Sequence, residues 1–308
     1  MDCLLSVVWL FATAAGAARP PVAAIASAHP LATQAGMEIL VAGGNAFDAA
    51  VAVSAALAVV EPYSSGLGGG GFWLLHRARD RHEVMVDGRE TAPLAASRDM
   101  YLDGDGNVVP GLSVDGALAA GIPGEPAALA HIASRFGRLS LGRSLAPAIR
   151  LARDGFEVDG HYRRLAQFRL DALQDDPETA RIFLGGDEVP EEGTRILQPE
   201  LADTLTALAR FGRAGFYRGP VAERLVAGVR AAGGIWTLED LASYRVVERE
   251  PVRAEYLGMR VTSAAPPSSG GVALASMLNM LSGFRLAEFD IADRTHLVIE
   301  AMRRAYRD

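Results

Sequence analysis

The chain has 308 residues, of which 50% are hydrophobic and 22% are charged, a composition typical of a packed globular protein with one large domain or two ordinary ones. Its formal net charge is −7, and its arginines are scattered among acidic residues instead of forming a basic stripe, so we expect no nucleic-acid partner. The 33 glycines and 16 prolines cluster between apolar stretches, which favours a mixed α and β architecture over a helical bundle.

Residues 1–17 are predicted to be a signal peptide. A mostly apolar run from Leu4 to Ala15 is followed by the small-residue site Ala15-Gly16-Ala17, the order found in secretory signals. The run is shorter than the about 20 apolar residues that span a bilayer, so we expect an exported protein, secreted or periplasmic, with no membrane span. Asp2 stands where a signal usually carries positive charge, and a wrongly assigned start codon is the alternative. Residues 18–308 would form the mature region.

Two helices are predicted next. Apolar residues recur at helical spacing from Leu31 to Val41, and Gly43-Gly44 is a typical helix end. Asn45 can cap a second helix, and Asp48 lies three residues later, near the positive end of its dipole. The almost unbroken apolar run from Ala49 to Val60 predicts that this helix is buried, and we expect it to pack against a sheet.

A glycine-rich loop and a β-hairpin follow. No regular element tolerates the sequence from Glu61 to Gly71. Two short β-like runs, Phe72 to His76 and Glu83 to Asp87, then predict a hairpin that turns at Arg77 to Arg81. Arg89 comes just after the second strand, and strand ends are where binding sites are often built.

The rest of the chain alternates helical and extended segments without an internal repeat or a long linker, which predicts one continuous domain. A short extended piece is expected at Val252 to Ser263. The final helix continues to Asp308 without a terminating signal, which favours a truncated chain, the alternative being a frayed natural end. The predicted helices are Glu125 to Phe136, Arg143 to Arg153, Pro199 to Phe211, Pro220 to Ala232, Val272 to Leu281 and Ile291 to Arg307.

Several short motifs suggest sites that their context argues against. Gly66, Gly68 and Gly71 satisfy the dinucleotide pattern G-x-G-x-x-G, but they follow a predicted helix and open a strand, the reverse of the required order. The segment Asp103 to Val108 begins like a calcium loop, but its sixth residue is valine instead of glycine. A hairpin turn is the better interpretation of that segment.

Metal and cofactor chemistry are not indicated. The six histidines never fall at H-x-x-x-H spacing, so a zinc site would need distant residues. The only cysteine, Cys3, would leave with the signal peptide, which excludes a thiol nucleophile in the mature chain. No G-x-S-x-G elbow occurs. We therefore expect no metal and no cofactor.

The run GGNAFDAAVAVSAALAVVEPYSSGLGGGGFWLLH at residues 43–76, continued by VDGRETAP at 86–93, closely resembles the large subunit of the γ-glutamyltranspeptidase family. Later segments keep the family's order, among them GIPGEPAAL at 121–129 and PPSSGG at 266–271. The resemblance covers roughly residues 27–308. It implies an α+β fold, the αββα sandwich of N-terminal-nucleophile hydrolases, of which this chain would be an incomplete, large-subunit part.

The resemblance also implies the chemistry. In this family the precursor cleaves itself, and a threonine at the new N-terminus of the small subunit attacks the γ-glutamyl amide, its own α-amine acting as base. Arg89 matches the arginine that grips the donor α-carboxylate, a task suited to a planar guanidinium. No Thr-Thr-His type segment occurs here, and Thr295-His296 continues into a helical pattern. We therefore predict no catalytic residue in this chain, only substrate binding by Arg89.

The predicted function is γ-glutamyl transfer or hydrolysis on glutathione or related amides, with an amino acid or water as acceptor. The small-subunit portion of the same precursor would be the partner, and this chain alone would be inactive. The alternatives are a cephalosporin or glutaryl acylase, a poly-γ-glutamate depolymerase, or a binding module without turnover.

Overall fold

The computed structural model describes residues 23–307, so the predicted signal peptide lies outside the described residues. The chain opens with helices α1 (Pro30–Val41) and α2 (Ala46–Val60), as predicted. Among the described residues, no helix has the length and apolar character needed to cross a membrane.

A capping box starts α2 and confirms the predicted cap. The Asn45 side chain accepts hydrogen bonds from the amides of Phe47 and Asp48 at 2.9 and 3.0 Å, and the Asn45 amide donates to Asp48 Oδ2 at 2.9 Å. Asp48 is fully buried and also accepts from the amides of Arg138 and Leu139. One carboxylate therefore starts the helix and fastens a loop 90 residues away.

Helix α2 is buried, as predicted, but its surroundings differ from the expectation of a sheet. Its most extensive contacts are with α1 and with α4 (Leu141–Asp154), and α3 (Glu125–Phe136) lies next to it as well. The small side chains of Ala52, Ala55 and Ala56, all fully buried, let the helices approach closely. An alanine-rich face is suited to close packing between helices. The sequence alone predicts that the face is buried, but not whether helices or a sheet will cover it.

The predicted hairpin is formed by β1 (Gly71–Arg77) and β2 (His82–Gly88), which pair in antiparallel register from Gly71 opposite Gly88 to Arg77 opposite His82. A third strand, β5 (Val247–Arg249), joins the other edge of β2. The strands β3 (Phe156–Glu157) and β4 (Arg195–Ile196) form a separate small ladder.

Most of the helices predicted further along the chain are confirmed to within a few residues, and α3 has the predicted bounds. Helix α4 begins at Leu141 and carries Pro147 inside it. Short helices between residues 160 and 243 escaped prediction because segments of four to nine residues show little periodicity. The remaining helices of this region are α5 (Gly160–Phe168), α6 (Leu170–Gln174), α7 (Pro177–Phe183), α8 (Pro199–Phe211), α9 (Ala214–Tyr217), α10 (Gly219–Ala231) and α11 (Leu238–Ser243).

The C-terminal part consists of a second hairpin and two helices. The piece predicted as extended is the hairpin of β6 (Val252–Tyr256) and β7 (Met259–Ser263), followed by α12 (Ser269–Leu281) and α13 (Ile291–Ala305). Glu83 of β2 joins this hairpin to the first sheet, because its nearly buried carboxylate pairs with Arg253 and Arg260, each at 3.1 Å. These two cations hold the pKa of Glu83 below its ordinary value.

The turn at residues 103–108 is a hairpin turn, as predicted. The Asp103 amide donates to the carbonyl of Asn107 at 2.8 Å, and the Asp103 carboxylate accepts from the amides of Asp105 and Asn107. Its carboxylate therefore shapes the backbone of the turn. The molecule as a whole mixes helices with small antiparallel sheets, which confirms the predicted α+β class.

Asp48→Ala should destabilise the chain by about 3 kcal/mol, because it leaves the part-buried amides of Asn45, Arg138 and Leu139 without their acceptor. The measurement is urea-induced unfolding of the 308-residue chain followed by circular dichroism. Asp105→Ala removes an exposed carboxylate from the turn at 103–108 and should change the unfolding free energy by less than about 0.5 kcal/mol. Equal effects of the two substitutions would contradict the assigned role of Asp48.

Candidate functional site

Arg89 lies one residue beyond β2, at the strand end where the sequence places it, and it borders a cleft of about 570 Å³. The glycine-rich loop between α2 and β1 lies next to Arg89 and lines the same cleft. Ser54 of α2 and Glu125, the first residue of α3, complete the site. The lining residues are Ser54, Pro62–Gly66, Gly68–Trp73, Arg89, Glu90 and Glu125.

The glycine-rich loop lies against the end of β2, closer than a residue with a side chain would allow. A Cβ atom at Gly70 would collide with the carbonyl oxygen of Gly88, so only glycine allows the loop to lie against the strand end. The carbonyl oxygen of Gly69 accepts hydrogen bonds from the amides of Gly124 and Glu125 at 2.9 and 3.0 Å. The loop follows a helix and leads into a strand, which agrees with its interpretation as structure instead of a dinucleotide fingerprint.

The Arg89 guanidinium is held loosely. Its Nη1 is 3.3 Å from a carboxylate oxygen of Glu90 and 3.4 Å from the carbonyl oxygen of Gly70. The guanidinium carbon lies 5.9 Å from the ring centre of Phe72, within cation–π range. Half of the Arg89 side chain is exposed. A planar cation with one weak ion pair can exchange that partner for a ligand carboxylate and form two parallel hydrogen bonds.

The backbone of Arg89 is fixed more firmly than its side chain. The Arg89 amide donates to Asp87 Oδ1 at 3.0 Å, and the other oxygen of this buried carboxylate accepts from Arg249 Nε at 2.8 Å. The Arg89 carbonyl accepts a hydrogen bond of 2.8 Å from the hydroxyl of Tyr244. One carboxylate two residues away and two side chains of the distant segment 244–249 therefore set the direction in which Arg89 leaves the strand.

Two stacked tyrosines connect the backbone of Arg89 to the start of α3. The rings of Tyr217 and Tyr244 lie 5.5 Å apart at an angle of 11°. The Tyr217 hydroxyl donates to the carbonyl of Pro123 at 2.7 Å and accepts from the amide of Ala127 at 3.2 Å. Burial raises the pKa of both phenols, so they stay neutral donors. The stack connects the start of α3 to the strand end that carries Arg89.

Glu125 is a buried carboxyl beside the cleft that sequence reasoning missed. Ser54 donates to its Oε1 at 2.6 Å. Burial raises the pKa of Glu125 to about 7, with a smaller contribution from the negative charge of Glu90, while the Ser54 hydrogen bond acts in the opposite direction. In the sequence, Glu125 is an acidic residue that directly follows Gly-Ile-Pro-Gly at a predicted helix start. An acidic residue at that position is usually explained by its favourable interaction with the helix dipole, so it does not indicate a site.

The cleft brings further neutral and charged groups near Arg89. Tyr63 borders it, and burial together with the carboxylates of Glu61 and Asp159 raises the Tyr63 pKa to about 12. Within residues 23–307, no three metal-ligating side chains gather into a group that could hold an ion. The residues present favour recognition of a small carboxylate by hydrogen bonds and charge.

Thr295 is a helical residue, as interpreted from the sequence. Its hydroxyl donates to the carbonyl of Ile291 at 2.6 Å within α13, and His296 borders a different cavity, between α12 and α13. The structure therefore brings Arg89 into a cleft and leaves the Thr295-His296 pair in a helix.

Comparison with known proteins identifies the family of the chain. The family model for gamma-glutamyltranspeptidase matches residues 32–308. The glutathione hydrolase proenzyme of Pseudomonas sp. strain A14 is 42% identical over 95% of this chain and 52% of its own length. The chain spans about half the length of the curated relatives it matches.

Solved structures show the same likeness. Helicobacter pylori gamma-glutamyltranspeptidase has a TM-score of 0.90 and 39% identity, covering 94% of this chain and 84% of the other. A cephalosporin acylase from Bacillus halodurans has a TM-score of 0.81 and 34% identity, with coverages of 90% and 52%. These likenesses confirm the predicted N-terminal-nucleophile hydrolase architecture.

Glu125 should make the stability of the chain fall between pH 4.5 and 7. Its folded-state pKa of about 7 lies above the ordinary value of 4.5, so its contribution is fully present below pH 4.5 and is lost as the pH rises through 7. The loss is on the order of 3 kcal/mol. Urea unfolding across this range should show the fall in the wild-type chain and not in Glu125→Gln.

The control is Glu223→Gln, which neutralises an exposed glutamate of α10. It should leave the slope of stability against pH unchanged. If the curves of Glu125→Gln and wild type run parallel, the buried carboxyl does not titrate in this range.

Proposed function

This chain belongs to the γ-glutamyltranspeptidase family, and on that premise we propose that it forms the donor-binding part of an enzyme that transfers or hydrolyses the γ-glutamyl group of glutathione and related amides. The observation that carries the proposal is Arg89, whose half-exposed side chain lines the cleft and whose one ion pair, with Glu90, spans 3.3 Å. The α-carboxylate of the donor would replace Glu90 at this guanidinium.

The chain's own residues would bind and orient the donor. Arg89 fixes the carboxylate end, so the γ-amide carbonyl is presented at a constant distance to a nucleophile supplied by another part of the protein. By resemblance to the family, that nucleophile would be a threonine of the small-subunit portion. Its hydroxyl would attack the carbonyl carbon, its α-amine would take the hydroxyl proton, and that proton would pass to the amine that leaves as the amide C–N bond breaks. Arg89 would hold substrate in both the transfer and the hydrolysis reaction, since both begin from the same γ-glutamyl intermediate.

The partner is the small-subunit portion of the same precursor. Curated relatives are named proenzymes, and this chain matches about half their length. The C-terminal part also presents large apolar side chains to solvent, which suits a surface that another polypeptide covers. These exposed residues include Phe284, Phe289, Ile291, Ile299, Met302 and Tyr306.

Residues 1–17 would direct export to the periplasm or the medium, and residues 18–308 would form the large-subunit region. The full gene expressed in its host should therefore give an exported protein that contains two copurifying polypeptides. Mass spectrometry should place the start of the larger one at Ala18. A single uncleaved polypeptide, or an intracellular protein that keeps Met1, would contradict the precursor and the export proposals respectively.

Arg89→Ala in the completed protein should lower kcat/KM for γ-glutamyl p-nitroanilide at least about 30-fold, because a lost carboxylate pair costs ~2 kcal/mol or more. The matched control is Arg98→Ala, which removes a nearly fully exposed arginine paired only loosely with Asp99. It should leave kcat/KM unchanged. The 308-residue chain by itself should release no nitroaniline.

Substrate analogues separate the proposed function from its rival. A 4-aminobutanoyl anilide lacks the α-carboxylate, so its turnover should not depend on Arg89. A glutaryl anilide lacks the amino group, and its efficient hydrolysis would favour an acylase like the B. halodurans relative. If Arg89→Ala hydrolysed the γ-glutamyl anilide as well as wild type, the donor-binding role would be wrong.

A further inference from the structure

Glu125 is the buried ionisable group of the Arg89 cleft that the proposed reaction leaves unused. Only 7% of the residue is exposed, and one carboxyl oxygen accepts the Ser54 hydrogen bond at 2.6 Å. Its amide is fixed to the glycine-rich loop through the carbonyl of Gly69 at 3.0 Å. The carboxyl is therefore held in place beside the cleft by both its side chain and its backbone.

The net charge of Arg89, Glu90 and Glu125 depends on whether Glu125 is ionised. Arg89 carries one positive charge, and Glu90, 3.3 Å away, carries one negative charge. Glu90 also acts on Glu125 as a like charge and raises its pKa. With Glu125 neutral, the three groups sum to zero; with Glu125 ionised, they sum to one negative charge. A carboxylate ligand meets a favourable site in the first state and a repulsive one in the second.

We propose that Glu125 is a positioning residue that sets how strongly the cleft holds a donor carboxylate. Ionised Glu125 would add a second negative charge to the cleft that Arg89 and Glu90 line, beside the incoming carboxylate, whereas neutral Glu125 would not. The inference rests on the proposed function and extends it, because it assigns a determinant of carboxylate recognition to a residue that does not touch the reacting atoms.

The groups that face Glu125 belong to four elements. Helix α2 contributes Ser54, which donates a hydrogen bond. The segment after β2 contributes Glu90, whose charge acts on Glu125, and Arg89 lines the same cleft. Tyr217 of α9 and Tyr244 after α11 lie close enough for the charge of Glu125 to raise the pKa of each phenol.

Burial raises the pKa of Glu125 to about 7, which brings its change of charge close to neutral pH. Both phenols stay neutral there because their pKa values are raised further by burial. Tyr63, which borders the same cleft, has a pKa raised to about 12. The charge of the cleft at the pH of an assay therefore follows Glu125.

The experiment measures, from pH 5.5 to 8, the ratio of kcat/KM for γ-glutamyl p-nitroanilide to kcat/KM for 4-aminobutanoyl p-nitroanilide in the completed protein. Groups that act on the chemical step affect both substrates and cancel in this ratio. In the wild type the ratio should fall on the order of tenfold as Glu125 ionises. Glu125→Gln should abolish this fall, since glutamine keeps the shape and the Ser54 contact without the charge.

Two further variants exclude a merely structural explanation. Ser54→Ala removes the hydrogen bond that favours ionised Glu125, so the midpoint of the fall should move to higher pH. Glu223→Gln, an exposed glutamate of α10, should leave the fall where it is. Ser54→Ala also provides the test if Glu125→Gln fails to fold.

The outcomes separate the two proposals. A fall that persists in Glu125→Gln, or that keeps its midpoint in Ser54→Ala, overturns the role of Glu125 while γ-glutamyl turnover itself stands. A ratio that is constant with pH in the wild type also overturns it. Turnover that does not depend on Arg89 at any pH overturns the proposed function instead.

Discussion

The carbonyl oxygen of Gly69 is the contact on which the site depends. It accepts hydrogen bonds from the amides of Gly124 and Glu125 at the start of α3. The backbones can approach this closely only because glycines stand where the loop passes the end of β2. Gly124 shows the same constraint, since a Cβ atom there would collide with the carbonyl of Gly88 and the hydroxyl of Tyr244. Two main-chain segments and a helix start thus meet at one point, and Arg89 leaves the strand next to it.

This geometry explains why a glycine-rich sequence can form a binding site without binding phosphate. Phosphate cradles aim several amides outward from a loop that opens a helix. Here the carbonyl of Gly69 points inward and satisfies α3, while the loop runs on into β1. The positive charge at this point of the cleft comes from the arginine beyond the strand, and the loop supplies the close packing beside it.

Local features of the fold could be predicted where they depend only on residues that are neighbours in the sequence. The Asn45 and Asp48 cap, the hairpin and the position of Arg89 all follow from residues close together in sequence. The partners of Arg89 could not be predicted in this way, because Tyr244 and Arg249 are more than 150 positions distant. Glu125 was overlooked for a different reason: the sequence does not reveal that the first turn of α3 is buried.

The hydrogen bond between Tyr244 and Arg89 joins residues 155 positions apart, and this separation has a consequence for synthesis of the protein. A ribosome adding about 5–20 residues per second needs on the order of 10 s to proceed from the arginine to the tyrosine. During that interval the first helices and the hairpin can form, but the strand end still lacks β5 and the tyrosine stack. Arg89 is therefore among the earliest parts of the cleft to be made and among the last to be fixed in place.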